Sequence, residues 1–213
     1  MAREYYFENA DAAIGAMIAD MARFIRRHNA HAGGTVFAVG GGNTPKRVLP
    51  GLAKLDCNWH QVTVSLTDDR YVSVDDPQSN EGLVRDYLLR DRAAAAAMHG
   101  LVDAADVAPP QPDIVYLGFG EDGHVASLFP SGPELDADGA GVVAAIAPVP
   151  PYKRLSLTLP VLCAAKHIVM LVSGPAKHQV YQCAKNQAEA RELPLAKILH
   201  QTATSISVYI VDA

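Results

Sequence analysis

Ile14, Met17, Ile18, Met21, Phe24 and Ile25 recur at helical spacing, with Asp11, Asp20 and Arg23 on the polar side. That pattern predicts an amphipathic opening helix around residues 9–28, with Asn9 or Asp11 as its N-cap. A different pattern follows. Thr35–Val39, Gln61–Leu66, Asp113–Leu117, His167–Val172 and Ser205–Val211 are short, nearly continuous apolar runs rich in Val and Ile. Such runs read as strands buried on both faces, as in a parallel sheet. Arg154–Thr158 reads as a further strand. Helices are expected from Pro45, over Asn80–Asp91, from Leu159-Pro160 and over Ala176–Ala190, and Ala93–Ala97 is helix-compatible. Pro50 should shorten or kink the helix that contains it. Strands alternating with helices predict an α/β fold with a mostly parallel sheet and helices on both faces.

Composition narrows the classes. The 213 residues contain no Gly/Ser linker, charge block or low-complexity tract, so one domain spanning 1–213 is expected. With 49% hydrophobic and 19% charged residues the chain has the make-up of an ordinary soluble globule. A net charge of −5 disfavours a nucleic-acid or anionic-membrane partner, though not a small anion in a locally cationic pocket. The longest apolar stretch, Val142 to Val149, is far short of the ~18–20 residues of a membrane span. Cys57, Cys163 and Cys183 lack metal-type spacing and read as neutral thiols of a cytoplasmic protein.

Four segments beyond predicted strands carry chemistry, and in a parallel sheet such loops gather at one edge. Gly40-Gly-Gly-Asn-Thr-Pro-Lys46 leads into a helix, with Thr44 as N-cap and Pro45 as first helical residue. It is either a plain capped turn or an anion site built from free backbone N–H groups. Thr67-Asp-Asp-Arg-Tyr71 is either a solvated ion pair or a clamp in which Asp68 and Asp69 meet sugar hydroxyls and Arg70 a phosphate. In Gly118-Phe-Gly-Glu-Asp-Gly-His124 a carboxylate and an imidazole stand two residues apart. The glycines fit G-x-G-x-x-G, yet Pro130 and Gly132 stop the long helix that a dinucleotide site requires. Arg154 and Ser173-Gly-Pro-Ala-Lys177 add two cations. Lys177 falls in a first helical turn, where a bound anion explains it better than helix stability does.

Together these segments resemble the 6-phosphogluconolactonases. The likeness runs through Gly-Gly-Asn-Thr-Pro (41–45), Thr-Asp-Asp-Arg-Tyr-Val (67–72) and Asp-Asp-Pro-Gln-Ser-Asn-Glu-Gly (75–82). It continues through Gly-Phe-Gly-Glu-Asp-Gly-His-Val-Ala-Ser-Leu-Phe-Pro (118–130), Arg-Leu-Ser-Leu-Thr-Leu-Pro (154–160) and Leu-Val-Ser-Gly-Pro-Ala-Lys (171–177). The resemblance implies a single Rossmann-like, sugar-phosphate isomerase-like domain that hydrolyses 6-phospho-D-glucono-1,5-lactone without metal or nucleotide. It implies His124 as general base with Asp122 beside it. It also implies a substrate site of Gly41, Gly42, Asn43, Thr44, Asp68, Arg70, Gly123, Arg154 and Lys177. A small-molecule lactone is then the partner, and a monomer or weak homo-oligomer is expected. Asn43 stands where Ser is usual, Asp69 where Glu is usual, and the tail lacks a common Trp.

Two alternatives stay open. A glucosamine-6-phosphate deaminase-like isomerase shares the glycine loop and the Asp-Gly-His turn. It needs a further carboxylate five residues after the His, where this chain has Phe129. A non-catalytic sugar-phosphate-binding protein would keep the cations and have no need of the Asp122/His124 pair.

Overall fold

A computed structural model describes residues 2–102, 108–137, 139, 141–187 and 190–211. In chain order the elements are β1 (Arg3–Phe7), α1 (Ala10–Ala32), β2 (Thr35–Val39), α2 (Asn43–Ala53), β3 (Val62–Leu66), β4 (Asp68–Arg70), α3 (Asn80–Tyr87) and β5 (Ala97–Met98). They continue with β6 (Ile114–Tyr116), β7 (Val142–Ile146), β8 (Lys153–Leu157), α4 (Leu159–Cys163), β9 (His167–Val172), α5 (Pro175–Asn186), α6 (Pro194–His200) and β10 (Ser205–Val211).

The apolar runs form a parallel seven-stranded sheet in the order β1-β10-β9-β6-β2-β3-β5. Phe37, Val39, Val64, Leu66, Ile114, Val115, Ile168 and Met170 are wholly buried, as strands covered on both faces require. The α1 stripe supplies Met17, Met21 and Ile25, also fully buried and each contributing ~1.5–3 kcal/mol of burial. Asn9 caps α1 by accepting the Ala12 N–H at 2.9 Å, and Gly33, at φ 77°, ends the helix in the left-handed region.

A second sheet departs from expectation. The predicted strand at Arg154–Thr158 is β8, and it pairs antiparallel with β4 and β7 in a three-stranded sheet of its own. The chain crosses from one sheet to the other at Thr67, whose N–H donates to Val39 of β2 and whose carbonyl accepts the Leu157 N–H. Other differences are local. α2 starts at Asn43, with Gly42 rather than Thr44 at the cap, and continues past Pro50 to Ala53. α3 ends at Tyr87 and α5 at Asn186, where Gln187 turns extended. Ala93–Ala97, read as helix-compatible, divides between a 3-10 turn and β5. β1, β7 and α6 were not anticipated. Cys57, Cys163 and Cys183 are free thiols, and burial pushes Cys57 up to about 11. Among the described residues no helix is long and apolar enough to cross a membrane.

Candidate active site

Strand order reverses at the centre of the large sheet. From β2 the chain moves outward through β3 to β5, then returns to place β6 on the other side of β2 and continues to β9 and β10. The loops leaving β2 and β6 therefore diverge above adjacent strands, which opens a crevice at their carboxyl ends. The Gly40 N–H donates to Tyr116 O at 3.1 Å and holds the two loops together at their base. A cavity of about 820 Å³ occupies this crevice, roofed on one side by the small sheet. Gly41, Gly42, Asn43, Thr44, Asp68, Arg70, Asp122, His124, Arg154 and Lys177 all line it. Gly123 does not. At φ 85° it forms the turn, and a side chain there would meet Leu193 at 3.1 Å rather than a ligand.

The loop after β6 folds back on itself through bridges between Phe119, Val125 and Leu128, presenting Asp122 and His124 on its rim. Gly120 must lack a side chain, because a Cβ there would lie 2.2 Å from the His124 ring. Asp122 Oδ1 accepts the His124 backbone N–H at 3.1 Å and lies 2.6 Å from His124 Nδ1. Partial burial alone would raise the Asp122 carboxyl, but the N–H and ring of His124 outweigh it and hold it low. An ionised Asp122 places the ring proton on Nδ1 and leaves the lone pair on Nε2, in a residue that lines the cavity. Phe129 packs its ring 4.9 Å from that of His124.

The two aspartates of the loop after β3 divide their work, and neither forms a solvated ion pair. Asp68 lines the cavity, with its oxygens accepting Thr67 Oγ1 at 3.0 Å and Ser127 Oγ at 2.7 Å. Asp69, 1% exposed, points away and accepts the N–H groups of Arg70, Asn80 and Glu81 at 2.7, 2.6 and 3.0 Å. It is the anchor of the α3 N-terminus. Burial pushes its carboxyl up against the pull of those three donors. Arg70 and Arg154 then face each other in register across β4 and β8. Arg154 Nε donates to Pro151 O at 2.7 Å, while Arg70 Nε is buried with no partner.

The amino end of α2 lies on the cavity wall, and α5 brings Lys177 of its first turn to it. α2 and α5 both start after a glycine in the positive-φ region, without a side-chain cap and without an acidic residue in the first turn. Their first N–H groups stay open to an outside acceptor. Lys177 extends from the first turn of α5, its Nζ 4.6 Å from the centre of the Phe119 ring. Burial lowers its ammonium below the usual range, against the attraction of Glu121 and Asp122.

Sequence reasoning passed over several members of the wall: Asn80, Phe119, Ser127 as a partner of Asp68, and the Ala147–Val149 turn of the small sheet. Asn80, Phe119 and Ser127 did lie inside the motifs that carry the resemblance, and Asn80 also follows the helix cap Ser79. The turn had no such signal, because β7 pairs only with β8 and the cavity role follows from that pairing.

A switch-point crevice with a carboxylate–imidazole pair, three cations and an open helix terminus defines an α/β protein built around a small anionic ligand. Comparison with known proteins agrees. The family described as glucosamine-6-phosphate isomerases/6-phosphogluconolactonase matches residues 8–207. A 6-phosphogluconolactonase of Neisseria meningitidis is 32% identical, covering 97% of each chain. One of Caulobacter vibrioides is 37% identical over 93% of this chain and 90% of its own. The crystal structure of a 6-phosphogluconolactonase from Shewanella baltica superposes with a TM-score of 0.91 at 26% identity, over 100% of this chain and 98% of that one. The chain belongs to the glucosamine-6-phosphate isomerase/6-phosphogluconolactonase family.

Proposed function

We propose that this protein hydrolyses 6-phospho-D-glucono-1,5-lactone to 6-phospho-D-gluconate, the ring-opening step of the oxidative pentose phosphate pathway, in the cytoplasm. His124 is the general base. Its Nε2 takes a proton from water as the water oxygen attacks the lactone carbonyl carbon. The tetrahedral intermediate then expels the ring oxygen, which takes the proton back from the imidazolium. The new carboxylic acid ionises. Asp122 holds the ring in the productive tautomer and balances its transient charge, a positioning duty. Arg70, Arg154, Lys177 and the α2 amino end, at Gly42, Asn43 and Thr44, take the phosphate and fix the ring. The Gly41 N–H is free to meet developing oxyanion charge, and Asp68 to accept a ring hydroxyl.

The observation that carries this reading is the 2.6 Å Asp122–His124 contact on the wall of a cavity that also holds all three cations. A lactone is an activated ester, so a single base contributing ~10²–10⁴-fold is adequate catalysis. Two rival chemistries lose their groups. Ser127 spends its hydroxyl on Asp68, and Phe129 offers no proton to an isomerase.

Turnover of the phosphorylated lactone, measured just below neutral pH with spontaneous opening subtracted, is the test. Hydrolysis well above background, with strong preference over unphosphorylated gluconolactone, is expected. A rate equal to background would end the proposal.

A further inference from the structure

Asn80 fills the space where Gly41 would carry a side chain. A Cβ built on Gly41 has atoms of Asn80 as its three nearest neighbours: Oδ1 at 1.8 Å, Cγ at 2.3 Å and Nδ2 at 2.7 Å. Asn80 cannot swing aside cheaply. It is 2% exposed, its Nδ2 donates to Asp68 O at 2.8 Å, and its backbone N–H is tied to Asp69. Its amide thus spans two cavity loops, the glycine loop after β2 and the β4 segment carrying Asp68 and Arg70.

The Oδ1 atom adds a second observation. It is buried and accepts no hydrogen bond, a cost that a hydrocarbon side chain would avoid. Among the described residues, neither the Gly41 nor the Gly42 N–H donates to a protein acceptor. An orphan acceptor therefore lies against Gly41 while the loop's own donors stay unspent. For stability alone, an arrangement that paired them would serve better.

We infer that Asn80 is a positioning residue. Its amide and the missing side chain of Gly41 form a size-matched lock that sets the gap between the glycine-loop donors and the Asp68/Arg70 strand. The role rests on the lactonase reading and deepens it, because the lock acts on geometry at the reacting ring. A displacement of ~1 Å there can cost ~10²-fold in rate.

The test compares Asn80→Ala, Asn80→Ser, Gly41→Ala and the double variant Gly41→Ala/Asn80→Ala in the lactone assay, with thermal melting as a folding control. For Asn80→Ala, kcat should fall ~10–100-fold while KM moves by no more than about 3-fold. Asn80→Ser, a smaller loss of contact, should fall between it and wild type. Gly41→Ala should be worse than Asn80→Ala, and the double variant should recover to the Asn80→Ala level instead of multiplying the two losses. Wild-type kcat in Asn80→Ala, or losses that simply multiply, would overturn the lock and leave the hydrolase reading standing. Absence of wild-type turnover would overturn both. Should Gly41→Ala fail to fold, the kcat of the two Asn80 variants decides alone.

Discussion

Arg70 and Arg154 stand directly opposite one another on β4 and β8, two guanidinium groups in a cross-strand pair. Like charges so placed destabilise a sheet. Burial first, and Arg70 second, lower the Arg154 guanidinium below its usual range, and Asp68 and Asp69 offset this only in part. A dianion between them removes the conflict. Inorganic phosphate should therefore stabilise the fold, by up to the ~2.7 kcal/mol expected at a hundred times Kd, and raise the melting temperature. In Arg154→Met the phosphate-induced rise should be clearly smaller than in wild type; an undiminished rise in that variant would place the anion elsewhere.

Removing the imidazole separates chemistry from binding. His124→Ala should reduce kcat by ~10²–10⁴ while affinity for 6-phosphogluconate, measured by calorimetry, changes little. Wild-type turnover in this variant would take His124 out of the mechanism.

Asp122→Asn tests the tautomer. The amide can donate to Nδ1 and leave the proton on Nε2, the wrong nitrogen for a base. A kcat loss of a size similar to that of His124→Ala is expected, with the fold and KM retained. Equal activity of Asp122→Asn and wild type would show that the 2.6 Å contact is incidental.

Asp69 is adjacent to the site in sequence yet should affect stability first. Asp69→Ala leaves the N–H groups of Asn80 and Glu81 at the buried start of α3 without their acceptor. Urea unfolding should show a loss of at least ~1–3 kcal/mol, the range for one such group. An unchanged midpoint would show that α3 does not need this anchor.

Far from the cavity, Asp20 governs an acid limb of stability. Burial pulls its carboxyl upward, but hydrogen bonds from His167 and Tyr209 prevail and bring it from 3.8 down to about 2. A depressed acid contributes fully above its unfolded value and loses that contribution as pH falls toward the folded one. Asp20→Asn should thus cost roughly 2 kcal/mol at neutral pH. The difference from wild type should shrink between pH about 4 and about 2. A gap in unfolding free energy that stays constant over that range would contradict the assignment.

What the chain declares locally and what it leaves to tertiary structure divide along physical lines. The strands Thr35–Val39, His167–Val172 and Ser205–Val211 were legible to the residue, because a strand buried on both faces must be apolar throughout. The Asn9 cap, the glycine turn and the Asp122/His124 spacing are likewise local chemistry. β4 was not legible. Asp68–Asp69–Arg70 has no strand pattern and is extended only because β8, more than eighty residues on, pairs with it. That pairing sets Arg70 against Arg154, turns Asp68 into the cavity and turns Asp69 away from it. Thr44 looked like the cap of α2, yet the cap is Gly42, which leaves the helix end open toward the cavity. Asn80 against Gly41 was equally hidden, since the gap that an absent side chain leaves acquires meaning only when a distant residue fills it.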